Sequence, residues 1–306
     1  MTNQPEQAEG RAINALRARL AVLDTALSPE HPLRIVDIGA NPINVPSYDD
    51  MLTLGACEVW GFEPGEEAFA ALTQSPRALT HYLKAAVGKP GTGLYYPHPQ
   101  NGLASNFPVS KPSVTFFGKP GWHKGETQPI EMELISLDSL SEDALPKPDV
   151  VKIDIQGGEL DVFTHGRAKM DQAIAVIPEV RFFRIYEGEP MWAAVDQELQ
   201  NQGFTLHKFE FTKTMSVANS QAARLNRKGT RSQLLDGDAI YIRNPETLSD
   251  WSNAQVKALA YAASGVFFSH DLAIHALDEL VRRKTIAPET PARYVDSLPR
   301  WMRRTD

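Results

Sequence analysis

The sequence predicts an α/β fold built on a doubly wound, mostly parallel sheet. Three observations predict it: apolar strand-like runs alternate with helix-like runs, the connections between them are short, and polar residues recur at the carboxyl ends of the strand-like runs. The first strand is the run Leu-Arg-Ile-Val-Asp-Ile-Gly-Ala-Asn over residues 33–41. Its apolar body ends at Asp37 and Gly39, and Pro42 and Pro46 forbid immediate continuation as sheet or helix. A buried parallel strand delivers its backbone to the carboxyl edge of the sheet, where Gly39, lacking a Cβ, lets a ligand approach the turn closely.

The other elements follow in order. Residues 12–27 place Ile13, Leu16, Leu20, Leu23 and Leu27 at three- and four-residue spacing, an amphipathic helix ended by Ser28-Pro29. Residues 48–54 form a short helix stopped by Gly55, 57–62 a second strand running into Glu63-Pro64-Gly65, and 66–73 a second helix. Residues 80–87 form a third strand, closed by Gly88 and a turn over 89–93. The alternation then breaks. Residues 97–128 are rich in Pro, Gly, Ser and Asn but carry Phe107, Phe116, Phe117, Trp122 and His123, and are expected to be a partly ordered lid or substrate-recognition insertion.

Residues 130–137 resume as a strand whose alternating Glu131 and Glu133 suit a sheet edge. Residues 150–155 are a buried strand ending in Asp154, with Gln156-Gly157-Gly158-Glu159 at the next helix start, and 173–177 run into Pro178-Glu179. A helix over 190–202 ends at Gly203. Strands over 204–211 and 239–242 have only a loop between them, so an antiparallel pair at the sheet edge, with an antiparallel last strand, is expected. Helices over 253–263 and 271–283 and an arginine-rich tail complete the chain. The organisation is an N-terminal helical segment (1–32), a main domain (33–244) and a C-terminal helical extension (245–306). The extension reads as a helical cap with solvated charge; a homodimer through these helices, or docking of an acidic partner, is the alternative.

Composition narrows the class. With 42% hydrophobic and 23% charged residues, the 306-residue chain is an ordinary globular protein, and its formal charge of −7 argues against a general nucleic-acid binder. The single cysteine, Cys57, rules out an intrachain disulfide and a multi-cysteine metal site, as suits a reducing compartment. No basic-then-apolar leader opens the sequence and no apolar run reaches the roughly 20 residues that cross a bilayer, so a cytoplasmic protein without membrane insertion is expected.

In an open α/β sheet, ligands bind beyond the carboxyl ends of the strands. There stand Asp37 and Asn41, then Glu63, then Asp154 and Gln156, then Glu179. Glu63, one strand after the Gly39 turn, suits the two hydroxyls of a ribose. A dinucleotide site needs G-x-G-x-x-G, but after Gly39 no glycine follows until Gly55, so a pyrophosphate is poorly accommodated. A cofactor with a ribose, a cationic centre and no phosphate fits better, and S-adenosylmethionine has those features.

Val-Asp-Ile-Gly-Ala-Asn (36–41), Gly-Phe-Glu-Pro (61–64), Ala-Ala-Val-Gly (85–88), Leu-Asp-Ser-Leu (137–140) and Val-Lys-Ile-Asp-Ile-Gln-Gly-Gly-Glu (151–159) stand in the order and rough spacing of the FkbM family of S-adenosylmethionine-dependent methyltransferases, which the chain resembles over about residues 33–243. The resemblance implies a class I methyltransferase, Rossmann-like fold and methyl transfer, usually to a hydroxyl of a sugar, polyketide or related small molecule. By position it places Asp37, Gly39 and Asn41 on the methionine side of the cofactor, Glu63 on the ribose and Ala86 near the adenine, with Ala40, Pro64 and Gln156 also among the cofactor-binding positions. Two residues depart from the family pattern: Pro42-Ile43 stand where a second glycine is usual, and Gln156 where glutamate is common. The first expected base or acceptor-orienting residue is Asp154 and the second Glu179; in another reading the two share a Mg²⁺ that lowers the acceptor's pKa. His123 is expected to be an exposed lid residue, and Arg224, Arg227, Lys228 and Arg231 to contact an acidic group on the acceptor. Transfer to nitrogen, a nicotinamide-dependent oxidoreductase and a cofactor- or partner-binding protein without activity are the alternatives.

Overall fold

In the computed structural model, residues 4–41, 45–100, 102–125 and 127–304 are described, so Pro42, expected to end the first strand, lies outside them. The chain runs α1 (Gln4–Leu27), β1 (Leu33–Ile38), α2 (Asp49–Thr53), β2 (Cys57–Phe62), α3 (Glu66–Gln74), β3 (Thr80–Leu83), β4 (Ala86–Val87) and β5 (Gly91–Tyr95). It continues through α4 (Lys111–Phe116), α5 (Pro120–Lys124), β6 (Ile130–Ile135), β7 (Val150–Ile153), α6 (Glu159–Thr164), β8 (Ala175–Arg181), α7 (Trp192–Asn201) and β9 (Phe204–Met215). The last elements are β10 (Gln233–Arg243), α8 (Asn253–Gly265), α9 (His270–Arg282) and α10 (Thr290–Asp296).

The main sheet has the order β3-β2-β1-β7-β8-β10-β9. All its neighbours are parallel except β10, which runs antiparallel to both β8 and β9. This is the class I methyltransferase, Rossmann-like arrangement, with the last strand reversed. The order reverses between β1 and β7, and a sheet that winds outward from such a point leaves a crevice at the carboxyl ends of those two strands. Register then fixes the crevice's residues: Asp37 of β1 stands opposite Gly61 of β2 and Lys152 of β7. Across the β8–β10 boundary, Glu179 stands opposite Asp238 and Arg181 opposite Asp236.

Alternation along β1 sorts its side chains between two cores. Leu33 and Ile35 pack with α1, α2, α8 and α9, whereas Val36 and Ile38 join Phe62, Val151, Ile153, Phe163 and Tyr241 on the face covered by α6 and α7. The stripe Leu16, Leu20, Leu23 and Leu27 of α1 is fully buried, each side chain worth roughly 1.5–3 kcal/mol over its exposed state. The C-terminal helices therefore belong to the core. α8 starts with a capping box, Ser252 with Gln255, and buries Val256 and Ala258–Gly265, where a Cβ on Gly265 would collide with Met51.

Several elements differ from expectation. The strand expected over 80–87 splits: β3 stays in the main sheet, while β4 leaves it to pair with β6. The expected 89–93 turn runs into β5, and the three form a second sheet of order β4-β6-β5. β6 is thus its central strand rather than an edge, although Glu131 and Glu133 do face solvent. β8 continues to Arg181, which puts Glu179 inside the strand instead of at its end. Within the described residues of 97–128, Leu103, Val109, Val114 and Phe117 form a separate cluster with Ile185, Tyr186 and Leu235.

Candidate functional site

A cleft of about 910 Å³ opens at the carboxyl ends of β1, β2 and β7. It gathers Asp37, Gly39, Ala40, Asn41, Glu63, Pro64, Ala86, Asp154, Gln156 and Glu179, so all ten site residues expected from sequence share one cavity. The insertion over 97–128 contributes Leu103, Asn106 and Trp122 to its wall. His123 is half-buried rather than exposed, and Arg224, Arg227, Lys228 and Arg231 stand exposed outside the lining.

The floor is set by Gly39 at φ +84°, a backbone state that L side chains avoid. A Cβ there would overlap the Asp154 carbonyl oxygen, and the Gly39 and Ala40 N–H groups both donate to the Phe62 carbonyl. The glycine is therefore needed where β1, β2 and β7 converge, apart from any ligand. Asp37, buried at 3% exposure, has both carboxylate oxygens engaged: Tyr48 donates its hydroxyl at 2.5 Å and Lys152 its ammonium at 3.2 Å. Burial acts to lower the Lys152 pKa, but Asp37, Asp154 and Asp238 outweigh it and hold the ammonium above its ordinary value. Burial raises the Tyr48 hydroxyl, and the Asp37 charge adds to it.

On the β2 side, Glu63 Oε1 accepts the Gly65 N–H at 2.7 Å. Oε2 has no hydrogen-bond partner among the described residues, and burial raises the carboxyl pKa against that one backbone bond. A buried carboxylate with a free oxygen on a cleft wall is a ready acceptor for ligand hydroxyls.

On the β7–β8 side, Gln156, at φ +58°, is the hub. Its Nε2 donates to Asp154 Oδ1 at 2.9 Å and to Glu179 Oε2 at 2.7 Å, while its Oε1 accepts from Arg181 at 3.1 Å and Tyr186 at 3.2 Å. Buried Arg181 also pairs with Glu179 at 3.0 Å, Glu189 at 3.2 Å and Asp236 at 2.8 Å. Burial drives the Glu179 pKa well up, Arg181 pulls it down, and Asp154 and Asp236 push it up again. Asp154 and Glu179 are thus bridged by an amide rather than arranged around an ion, and no group of three or more His, Cys, Asp or Glu suited to a metal occurs among the described residues. Glu159 caps the turn, accepting from the Ile155 and Gly157 N–H groups, and burial lifts its pKa to about 7.

Sequence reasoning missed Lys152, Asp236 and Asp238. Lys152 was visible as the one charge among the apolar residues 150–153, and Asp236 and Asp238 stand just before the strand expected over 239–242. Cys57 is buried with its thiol pushed up to about 12, chiefly by burial, as a core residue should be. Among the described residues no helix is long and apolar enough to cross a membrane.

The methyltransferase FkbM domain matches residues 37–206, and no curated protein sequence matches the chain. Similar solved structures include magnesium protoporphyrin IX methyltransferase from Synechocystis PCC 6803 with bound SAM (12% identity, 78% of this chain and 83% of that one, TM-score 0.34). Precorrin-6y C5,15-methyltransferase from Geobacter metallireducens is 12% identical over 73% of this chain and 86% of its own, with TM-score 0.34. An S-adenosylmethionine-dependent methyltransferase from Mesorhizobium loti is 14% identical over 73% and 97%, with TM-score 0.32.

Proposed function

Because the chain belongs to the FkbM methyltransferase family, we propose that its cleft binds S-adenosylmethionine and that it methylates a hydroxyl of a small molecule, a sugar or glycan being the favoured acceptor class. The observation that carries this reading is the division of the cleft: a free carboxylate oxygen on Glu63 at one end and Asp154, held by Gln156, at the other. The residues fit the cofactor. Glu63 Oε2 suits ribose hydroxyls, the Gly39–Asn41 turn and Asp37 the amino-acid end, Ala86 and Pro64 the adenine side. When bound, S-adenosylmethionine supplies an electrophilic methyl group.

The chain's own residues then orient the acceptor and manage its proton. Asp154 Oδ1 is fixed by Gln156, and Oδ2 has no hydrogen-bond partner among the described residues, so Oδ2 is the atom that takes the hydroxyl proton. Glu179, already committed to Arg181 and Gln156, acts as a positioning residue that sets the Gln156 amide. The lid residues Trp122 and Leu103 exclude water from the acceptor end.

The test is transfer of labelled methyl from S-adenosylmethionine to a panel of glycosides and other hydroxyl compounds. Transfer is expected for at least one class, reduced about 100-fold or more by Asp154→Asn with cofactor affinity retained. Transfer that is indifferent to Asp154, or label that moves only to amines, would overturn the assignment.

A further inference from the structure

The two longest stretches of the chain without Asp or Glu are residues 68–125 and 211–235, so all 38 acidic residues of this net −7 chain lie elsewhere. The fold brings the two stretches together. The Ala218 N–H donates to the Phe116 carbonyl at 2.8 Å, a Cβ on Gly118 would touch Ala218 at 3.4 Å, and Leu235 and Met215 pack into the lid cluster. Both stretches also line the cleft, through Trp122 from the lid and Lys213 from the β9–β10 hairpin. They form one joined surface that reaches the cleft wall, and the cleft itself is rich in carboxylates.

This surface carries Lys111, Lys119, Arg224, Arg227, Lys228 and Arg231, all of them outside the cleft lining. None of them pairs with a carboxylate among the described residues; Lys119 lies over the Trp122 ring at 5.9 Å and Arg224 donates to Gln221. Beside them Phe116, Phe211 and Leu225 stay exposed, at 38%, 55% and 43%. A pocket for one phosphate would hold its cations in place by burial and hydrogen bonds, whereas these are spread over a lid and a hairpin tip. Diffuse cations interleaved with exposed apolar side chains match an anionic lipid surface. The charges meet headgroups within a Debye length and the apolar side chains reach the boundary with the acyl chains. A nucleic-acid duplex would use the charges and leave Phe116 and Leu225 without a role.

We propose that the lid and the β9–β10 hairpin dock this protein reversibly on an anionic lipid surface, with the cleft mouth toward the bilayer. The corollary, that the acceptor is a hydroxyl compound held at that surface, rests on the methyltransferase reading; the docking does not. The test is co-sedimentation of the full chain with vesicles of phosphatidylcholine alone or mixed with phosphatidylglycerol, at low and at high salt. Pelleting is expected only with the anionic vesicles and is lost at high salt. The triple change Arg224→Glu, Arg227→Glu, Lys228→Glu should lower partitioning roughly 100-fold or more. An equal charge change on the exposed C-terminal residues, Lys284→Glu, Arg293→Glu, Arg300→Glu, should leave it nearly intact. Calorimetry with S-adenosylmethionine on both variants and the wild type separates the two readings: a wild type that binds vesicles but not the cofactor removes the enzyme reading and spares the docking. Absence of wild-type pelleting, equal loss in both triple variants, or stronger retention by a DNA duplex than by vesicles overturns the docking.

Discussion

Replacing Gly39 by alanine should be among the most damaging single-methyl changes in the chain, for reasons that are separable. At φ +84° an L residue pays roughly 1–2 kcal/mol for left-handed backbone. The added Cβ would also overlap the Asp154 carbonyl oxygen and lie 3.0 Å from its carbonyl carbon and 3.1 Å from an Ile155 methyl, all on the neighbouring strand end. Backbone cannot swing aside as a flexible side chain does, so overpacking adds about 1–3 kcal/mol, for a total of about 2–5 kcal/mol. Gly55 supplies the control: its φ is +73°, but nothing lies within 4 Å of where an alanine Cβ would stand, so Gly55→Ala carries only the conformational cost of roughly 1–2 kcal/mol. In urea, with an m-value of about 3 kcal/mol/M, the midpoint should fall by about 0.7–1.7 M for Gly39→Ala and by about 0.3–0.7 M for Gly55→Ala. Calorimetry should show that Gly39→Ala also loses S-adenosylmethionine binding while Gly55→Ala keeps it. Equal midpoints for the two variants would refute the claim that the β1 turn is wedged against β7.

Lys152→Met removes the cation beside buried Asp37; because the Lys152 side chain is 23% exposed, the expected loss is at the lower end for a broken buried pair, about 3 kcal/mol, read from urea midpoints. Adding Asp37→Asn should recover part of that loss, and strict additivity in the double-mutant cycle would show that the pair is not coupled. Stability should depend on pH through the carboxyls that burial raises. Glu159 rises from 4.5 to about 7 and Asp238 from 3.8 to about 6, so between these limits the folded chain holds protons that the unfolded chain has released. Their contribution is fully present below the unfolded values and is lost as pH rises through the folded ones. The urea midpoint should fall between pH 5 and about 7.5, and Glu159→Gln should flatten that fall; a midpoint rising over the same window would contradict the assignment.

Much of the fold was legible because its signals are local. The apolar run of β2 has the same bounds in sequence and structure, Cys57–Phe62, and the ordered polar residues at successive strand ends converge on one cleft. What stayed hidden depends on partners distant in sequence. β4 is two residues long, too short for any period, and is defined by its pairing with β6. The Gly91 and Gly93 that suggested a turn belong to β5, where a Cβ on Gly93 would press on Leu134 of β6 at 2.6 Å. The last strand, expected over 239–242, starts at Gln233, and within its added part Gly237 pairs with Thr212 of β9 where a Cβ would meet the Phe211 carbonyl at 2.5 Å. Glu179 was expected at the end of the strand over 173–177, but β8 pairs onward with β10 and carries it to Arg181. The hub role of Gln156 could not be read from sequence, since its four partners come from β8, the segments flanking it and its own turn.

The measurement that tests the central claim most directly is calorimetric titration of the wild type and Glu63→Gln with S-adenosylmethionine and S-adenosylhomocysteine, with NAD as the control ligand. Binding of both adenosyl ligands and not of NAD, weakened roughly 100-fold in Glu63→Gln through loss of the charged hydrogen-bond acceptor, is the predicted result. Wild type that binds neither adenosyl ligand, or a variant that binds them as tightly as wild type does, would contradict it.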